Sequence, residues 1–374
     1  MRQLNWQRIC DALLEKGPLT QAELARQTGL STATVSNIVK SKVADREVET
    51  EPTTRSGRRA LLVRLSGKGA VAVGIDFGRR HLRIVLATPG FTVIAEQFIE
   101  LELGHRAEDG IELASRQLTK LLDENDVCPT TVLGVGVGIP GPIDRRTGTV
   151  VQGAILPEWV GMRLHDLEQH LRFPVVFDND ANLGALAEVT WGQHHTVQNL
   201  VFVKIGSGIG AGLILGGHPY TGTLGITGEI GHETIADTGL ECHCGKRGCL
   251  ETVASTSAMI TLLGTRGPVT TDDIVRNALA GDPYTLRVLD DAGSSVGRVL
   301  ASVANMVNPE VIVLGGPLAG LGTILLEPIK RALLRHAVPS VGESTRLVMS
   351  SLGARAEALG AASLVLQSAN LKRT

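Results

Sequence analysis

Between Gly231 and Glu251 the chain gathers three of its five cysteines and two of its ten histidines, in the run Gly-His-Glu-Thr-Ile-Ala-Asp-Thr-Gly-Leu-Glu-Cys-His-Cys-Gly-Lys-Arg-Gly-Cys-Leu-Glu. Thiolates hold Zn²⁺ tetrahedrally at about 2.3 Å, and a closed structural site needs four N or S ligands. Cys242, Cys244 and Cys249 supply three of them. His232 is the better fourth ligand. His243 sits between two ligating cysteines, where its side chain is thrown away from the metal, whereas His232 lies far enough back to close a loop onto it. The competing readings are a disulfide or plain surface thiols. A disulfide needs an oxidising compartment, and the sequence shows no signal peptide, so the expectation is a cytoplasmic protein with a structural zinc ion.

The rest of the chain must supply cores around that loop. With 374 residues, 43% of them hydrophobic, two or three domains are expected. No apolar run reaches the roughly 20 residues of a membrane span, so no membrane partner is expected. The net charge of −2 hides an asymmetry. Residues 1–65 hold eleven Lys or Arg against seven Asp or Glu, a balance of +4; the remainder holds 25 against 31, a balance of −6. A basic head on an acidic body suggests that the head meets a polyanion.

The head has a readable plan. Asn5 to Glu15 places Ile9, Leu13 and Leu14 at helical spacing, and Gly17-Pro18 ends that helix. Thr20-Gln-Ala-Glu23 is a capping box that opens a second helix. After a turn at Gly29-Leu30, Ser31 caps a third helix running to about Ser41. There Val35, Ile38 and Val39 form the buried stripe, leaving Thr32, Thr34, Ser36, Asn37 and Lys40 for a major groove. Val48 to Thr54 and Ala60 to Leu65 read as two strands around a tip that carries Arg55, Arg58 and Arg59, suited to phosphate or minor-groove contact. Residues 1–66 are therefore expected to be a winged helix-turn-helix that binds double-stranded operator DNA.

Beyond Ser66-Gly67-Lys68-Gly69 the pattern becomes α/β. Strands are expected at Val71 to Asp76, His81 to Ala87, Thr92 to Phe98, Val132 to Ile139, Val175 to Phe177, Leu200 to Ile205, Ala211 to Leu215 and Val311 to Leu314, with a helix over Glu108 to Glu124. Cys10 and Cys128, isolated among apolar residues, read as buried thiols without function.

Three segments together carry a resemblance: Phe177-Asp-Asn-Asp-Ala-Asn182, Gly228-Glu-Ile-Gly-His232 and the cysteine loop. Over essentially its whole length the chain resembles the ROK family, whose members are sugar kinases or sugar-responsive transcription factors. The resemblance implies a two-lobed, actin-like (ribonuclease H-like) sugar kinase fold after the winged helix. Residues 67–178 would form the first lobe, with a C-terminal helix at about 352–369 packing back onto it, and residues 179–351 the second. It also implies a sugar held by Asn179, Asp180, Glu229, His232 and Glu251, and a homodimer or homotetramer. His232 would spend one ring nitrogen on zinc and turn the other toward a sugar hydroxyl. In the family's kinases the position of Asp180 is the general base, yet a carboxylate near a hydroxyl serves a sugar receptor equally well. The loops Gly138 to Asp144 and Leu156 to Trp159 resemble segments that line the sugar site; Trp159 either lies against a sugar face or belongs to the core.

The nucleotide elements separate the family's two branches. Gly206, Gly208 and Gly210 form a phosphate-type turn. The first phosphate loop of the kinases reads Asp-x-Gly-Gly-Thr, whereas this chain has Asp76-Phe77-Gly78-Arg79-Arg80. Asp76 and Gly78 match, but two arginines stand where backbone must approach a phosphate, so both loops read as vestigial. The leading expectation is a sugar-responsive repressor. The alternatives are an ATP-dependent sugar kinase with an appended DNA-binding domain, and a DNA-binding protein whose cleft has lost sugar.

Overall fold

The computed structural model describes residues 2–45, 47–55, 58–66, 69–151 and 156–371. Ser56 and Gly57 of the expected wing tip, the side chain of Arg58, and Gly67 and Lys68 of the expected boundary lie outside the described residues.

The head comprises α1 (Arg2–Lys16), β1 (Leu19–Thr20), α2 (Gln21–Thr28), α3 (Thr32–Ala44), β2 (Val48–Arg55) and β3 (Arg58–Leu65). Its three strands form an antiparallel sheet in the order β1-β3-β2. The capping box closes as its residues dictate: Glu23 N donates to Thr20 Oγ1 (3.3 Å) and Thr20 N to Glu23 Oε2 (2.7 Å). Gly29 turns the chain in the left-handed region at φ 68°, and Ser31 Oγ accepts from Thr34 N at 3.1 Å to start α3. Ile9, Leu13, Leu24, Val35, Ile38, Val39, Val48 and Val63 bury together as its core. α3 runs three residues past Ser41 because Asp45 N still reaches the Ser41 carbonyl.

The body holds two five-stranded sheets. The first is built from β4 (Val71–Phe77), β5 (His81–Ala87), β6 (Val93–Glu100), β7 (Val132–Ile139) and β10 (Val175–Asn179), in the order β10-β7-β4-β5-β6. A small pair, β8 (Ile143–Asp144) and β9 (Thr149–Val150), stands apart, and α4 (Ala107–Glu124) and α5 (Leu164–Leu171) complete this part. After α6 (Asp180–Thr190) the second sheet uses β11 (Leu200–Ile205), β12 (Ile209–Leu215), β13 (His218–Tyr220), β14 (Val311–Gly315) and β15 (Arg346–Met349), in the order β13-β12-β11-β14-β15. Its helices are α7 (Glu251–Ala254), α8 (Thr256–Leu263), α9 (Thr271–Leu279), α10 (Pro283–Val307), α11 (Thr323–His336) and α12 (Pro339–Ser344), while the last helix, α13 (Ala356–Leu371), packs back against β4 and β7 of the first sheet. Each sheet opens with three antiparallel strands, β4-β5-β6 or β11-β12-β13, and adds two parallel strands beside the first of them, β7 and β10 or β14 and β15. That is one plan used twice.

Helices α6 and α13 join the two halves. Ala185, Leu186 and Val189 of α6 and Ala358, Leu359 and Ala362 of α13 share one core with Val85 of the first sheet and Phe202 and Val313 of the second. Small residues set the spacing, since a Cβ at Gly360 would stand 1.9 Å from the Leu183 carbonyl oxygen. The far end of α6 also receives the head. Gly17 has φ 75°, and a Cβ there would lie 2.0 Å from the Thr190 oxygen, so only glycine lets the end of α1 come so close. Lys16, 4% exposed, donates to the Gly217 carbonyl, His195 Nδ1 lies 3.0 Å from the Lys16 carbonyl oxygen, and His218 Nδ1 lies 2.7 Å from Glu15 Oε1.

The same helix buries a carboxyl with no exposed surface. Glu188 meets the Ser350 hydroxyl at one oxygen and His194 Nε2 at 3.8 Å from the other. Burial first, and then the nearby charge of Glu357, pushes it up to about 7, and burial likewise drives His194 down. A carboxyl raised in the folded state contributes stability that is complete below its ordinary pKa and lost as pH rises through 7. Glu188→Gln should therefore match the wild type near pH 4.5 and exceed it by up to about 3 kcal/mol at pH 8. Denaturant unfolding across that range tests this; a constant difference would mean that Glu188 is already ionised.

Two expectations need correction. Cys128 is exposed, with Sγ 3.0 Å from Thr130 Oγ1, because the loop before β7 runs along the surface; Cys10 is half-buried. The glycine turn is shorter than expected, since β12 begins at Ile209. Gly206 N donates to Gly208 O at 2.9 Å, which confines the turn to Gly206-Ser207-Gly208. Gly210 lies in the strand with its Cβ position 3.4 Å from Ala181 Cβ, so α6 packing accounts for it.

Candidate functional site

The N-terminus of α6 forms the floor of the site. Asn179 is its N-cap: Oδ1 accepts from Ala181 N at 2.8 Å while Nδ2 donates to the Gly141 carbonyl at 2.9 Å. Much of the Asn179 carboxamide is thus spent on holding the loop, not on reaching outward. Asp178 is structural as well, accepting from Asn182 Nδ2 at 3.0 Å and pairing with Arg145. Asp180, 6% exposed, accepts from Lys204 Nζ at 2.8 Å.

The opposite wall is Gly228 to His232. Gly228 must be glycine, because a Cβ there would sit 1.8 Å from the Ala211 carbonyl oxygen of β12. Its own carbonyl accepts from Ala211 N at 2.7 Å, which fixes where Glu229 and His232 stand. Glu251 opens α7 and accepts from Ile209 N at 3.2 Å. Burial, then the charges of Asp180 and Glu251, push the Glu229 carboxyl up to about 7. The three carboxylates therefore converge on one space, and His232 Nε2 borders it, 3.8 Å from Glu229 Oε2.

His232, Cys242, Cys244 and Cys249 come together, their ligand atoms all within 4.8 Å of one another. Cys244 and Cys249 sulfurs are 3.7 Å apart, and Cys242 Sγ is 3.4 Å from His232 Nδ1. A tetrahedron with bonds of about 2.3 Å to sulfur has sulfur–sulfur edges of about 3.8 Å, so this donor set can hold a metal ion. His243 is exposed and is not one of the four. Nδ1 facing the sulfurs leaves Nε2 for the carboxylate space.

In the first loop, Gly78 N donates to His81 O at 2.8 Å, which closes a tight β4-β5 turn. Asp76, 1% exposed, holds His81 Nε2 at 2.8 Å, and Arg79 donates from Nη1 to Ser257 Oγ of α8 at 3.1 Å. Arg79 thus spans from the first sheet to the helices of the second. Trp159 is fully buried with its ring 4.6 Å from that of Phe77, so of its two readings the core one holds, and it stacks on no ligand. In the head, Thr32, Ser36, Asn37 and Lys40 are exposed on α3, as is Arg59 on β3. Thr34 is half-buried, its hydroxyl 2.8 Å from Ser31 Oγ in the helix cap. Arg55, though exposed, lines a 200 Å³ groove with Trp191 and His195, facing the body. A larger concavity of about 530 Å³, lined by Arg298, Arg331, Arg335 and His336 among others, shares no residue with this site.

Sequence reasoning missed Lys204 and Glu357. Neither lies in a recognisable motif, and Glu357 is 177 residues from Asp180. Only an isolated charge in an apolar strand, Val-Phe-Val-Lys-Ile, marked Lys204.

Residues 72–368 match the ROK family, and residues 8–59 match the MarR family. The chain belongs to the ROK family. It is 29% identical to the xylose repressor of Bacillus subtilis (strain 168), over 98% of this chain and 96% of the relative. It is 32% identical to a glucokinase of Halalkalibacterium halodurans, over 80% of this chain and 96% of that enzyme. The crystal structure of a ROK family transcriptional regulator, a homolog of the E. coli MLC protein, superposes with a TM-score of 0.72 at 25% identity, covering 99% of this chain and 98% of that one. The repressor and the regulator align over nearly the whole chain, the winged head included, whereas the glucokinase covers four-fifths of it. The head places this ROK chain with the transcriptional regulators.

Proposed function

We propose that this ROK protein is a sugar-responsive transcriptional repressor, binding operator DNA through its head as a homodimer or homotetramer and a sugar through the carboxylate space. One observation carries the reading. Helix α6 bears Asp180 at its first residue and meets Gly17 of the head at its last, Thr190, about 15 Å away at 1.5 Å per residue. A shift of its sugar end reaches the head through a single buried helix. The sugar must bind one arrangement of the head better than the other, since equal affinity shifts nothing.

Asp180, Glu229 and Glu251 would accept from sugar hydroxyls, and His232 Nε2 would donate. The four-ligand set suits Zn²⁺, whose contribution when bound is to pin the loop that carries His232 and leads into Glu251. Both Asp180 carboxylate oxygens already hold partners, Lys204 at one and Ala181 N at the other, and arginines fill the first loop. These features favour a sensor over a kinase.

A gel-shift assay of the zinc-loaded protein on the DNA upstream of its own gene tests the reading, with xylose and glucose first in a panel of sugars because the relatives are named for them. Retardation that one sugar changes is expected. Retardation that none changes, or ATP consumed on adding a sugar, would overturn it. Lys40→Ala with Arg59→Ala should lower affinity on all sequences and reduce the slope of log K against log salt by about 2, one unit for each lost phosphate contact. An unchanged slope would mean that neither side chain touches the backbone.

A further inference from the structure

Lys204 lies on β11, two residues before the glycine turn begins, with its side chain only 14% exposed. Its ammonium is 2.8 Å from Asp180 Oδ2 at the start of α6 and 3.2 Å from Glu357 Oε1 at the start of α13. A third carboxylate, Asp76 at the end of β4, is close enough for its charge to act on Lys204. Asp76 is 1% exposed, and its Oδ1 has no hydrogen-bond partner. Three acids on three separate elements thus face one cation between the two glycine-bearing loops. Burial pulls the Lys204 pKa down, but the charges of Asp180, Glu357 and Asp76 outweigh it and leave it raised, so the ammonium is permanent. Burial also opposes ionisation of Asp76, yet Lys204 and His81 hold it below the usual range.

A phosphoryl-transfer site needs a cation among its carboxylates, normally a divalent metal that bridges phosphate oxygens. We infer that Lys204 is a tethered replacement for that metal: it neutralises Asp76, Asp180 and Glu357, excludes a divalent cation and its nucleotide, and fixes Asp180 as a hydrogen-bond acceptor for sugar. The inference rests on the sugar-cleft reading for its last clause and on the charge geometry alone for the rest. Lys204 is a specificity-determining residue, the one that makes the cleft a receptor for an uncharged sugar rather than for a metal–nucleotide complex. Burial first, opposed by Lys204, raises the Glu357 carboxyl above its ordinary range, in line with a single positive charge shared among three acids.

Removing the tether should admit the metal. Mn²⁺ titration followed by electron paramagnetic resonance should show no Asp76-dependent site in the wild-type chain. K204A should bind Mn²⁺ at least tenfold more tightly than wild type, and adding D76N to K204A should abolish the gain. Circular dichroism and thermal unfolding establish that K204A is folded. A folded K204A that binds no additional Mn²⁺ overturns the inference. So does a wild-type Mn²⁺ site that D76N removes, and that second arm stands even if K204A fails to fold. Calorimetry with sugar runs in parallel: wild-type protein that binds no sugar would remove the sugar-cleft reading and leave the Mn²⁺ outcome to be judged separately.

Discussion

Cys249→Ser is expected to cost the protein both its metal and its response to sugar. Cys249 has no exposed surface, and its sulfur sits 3.7 Å from that of Cys244. The backbone around it is tied back to the histidine side of the loop, through a bridge between Thr234 and Cys249 and a hydrogen bond from Leu250 N to the Glu233 carbonyl at 2.9 Å. Two residues on, Glu251 enters the carboxylate space. A serine hydroxyl is a far poorer zinc ligand than a thiolate, and structural zinc in small peptides contributes about 10–16 kcal/mol of apparent binding free energy. Here the flanking sheet keeps its own core, so the loss should be local: the metal leaves, His232 Nδ1 loses its partner and the ring is free to turn. Sugar affinity should fall about 100-fold, with the sugar effect on DNA binding lost. Elemental analysis and calorimetry measure the two parts. A metal-free variant with wild-type sugar affinity and operator control would show that the loop has no hold on the cleft.

Asp180→Ala should be nearly as severe, for two separable reasons. It removes the acceptor at the head of α6, and it strips Lys204 of its closest partner at 2.8 Å. Breaking one side of a buried ion pair costs about 3–5 kcal/mol, since the remaining charge stays desolvated. Asp180→Ala should therefore bind no sugar by calorimetry and unfold at a clearly lower temperature. Asp180→Asn keeps the shape and loses the charge, so it should recover part of the packing without the affinity. Sugar binding by Asp180→Ala at wild-type strength would exclude this carboxylate from the site.

The head was the most legible part of the chain. Its capping box at Thr20, the αL turn at Gly29 and the Val35, Ile38, Val39 stripe are all local rules, and local rules act within a turn or two of helix. The same holds for the metal cluster: Cys242, Cys244 and Cys249 lie within eight residues, so loop closure alone brings them near one another. Less legible was the long α10, which no expectation named, although Asp282 and Pro283 mark its start as a cap and a first-turn proline. Trp159 was ambiguous for a physical reason, because an indole suits a sugar face and a core equally well, and only the ring of Phe77 4.6 Å away decides between them.

What the sequence by itself determined is the inventory of parts: a basic winged head, a repeated α/β body, four ligand-type side chains in one loop, and an altered first phosphate loop. These depend on contacts between residues near one another in the chain or on residue type alone. What only the tertiary structure decided is which charges share a space. Lys204, Asp76, Asp180 and Glu357 stand on four elements spread over more than 280 positions, and no periodicity encodes their meeting. It follows from the packing of α6 and α13 between the two sheets, where small side chains let the helices approach and so bring their N-termini to one cation.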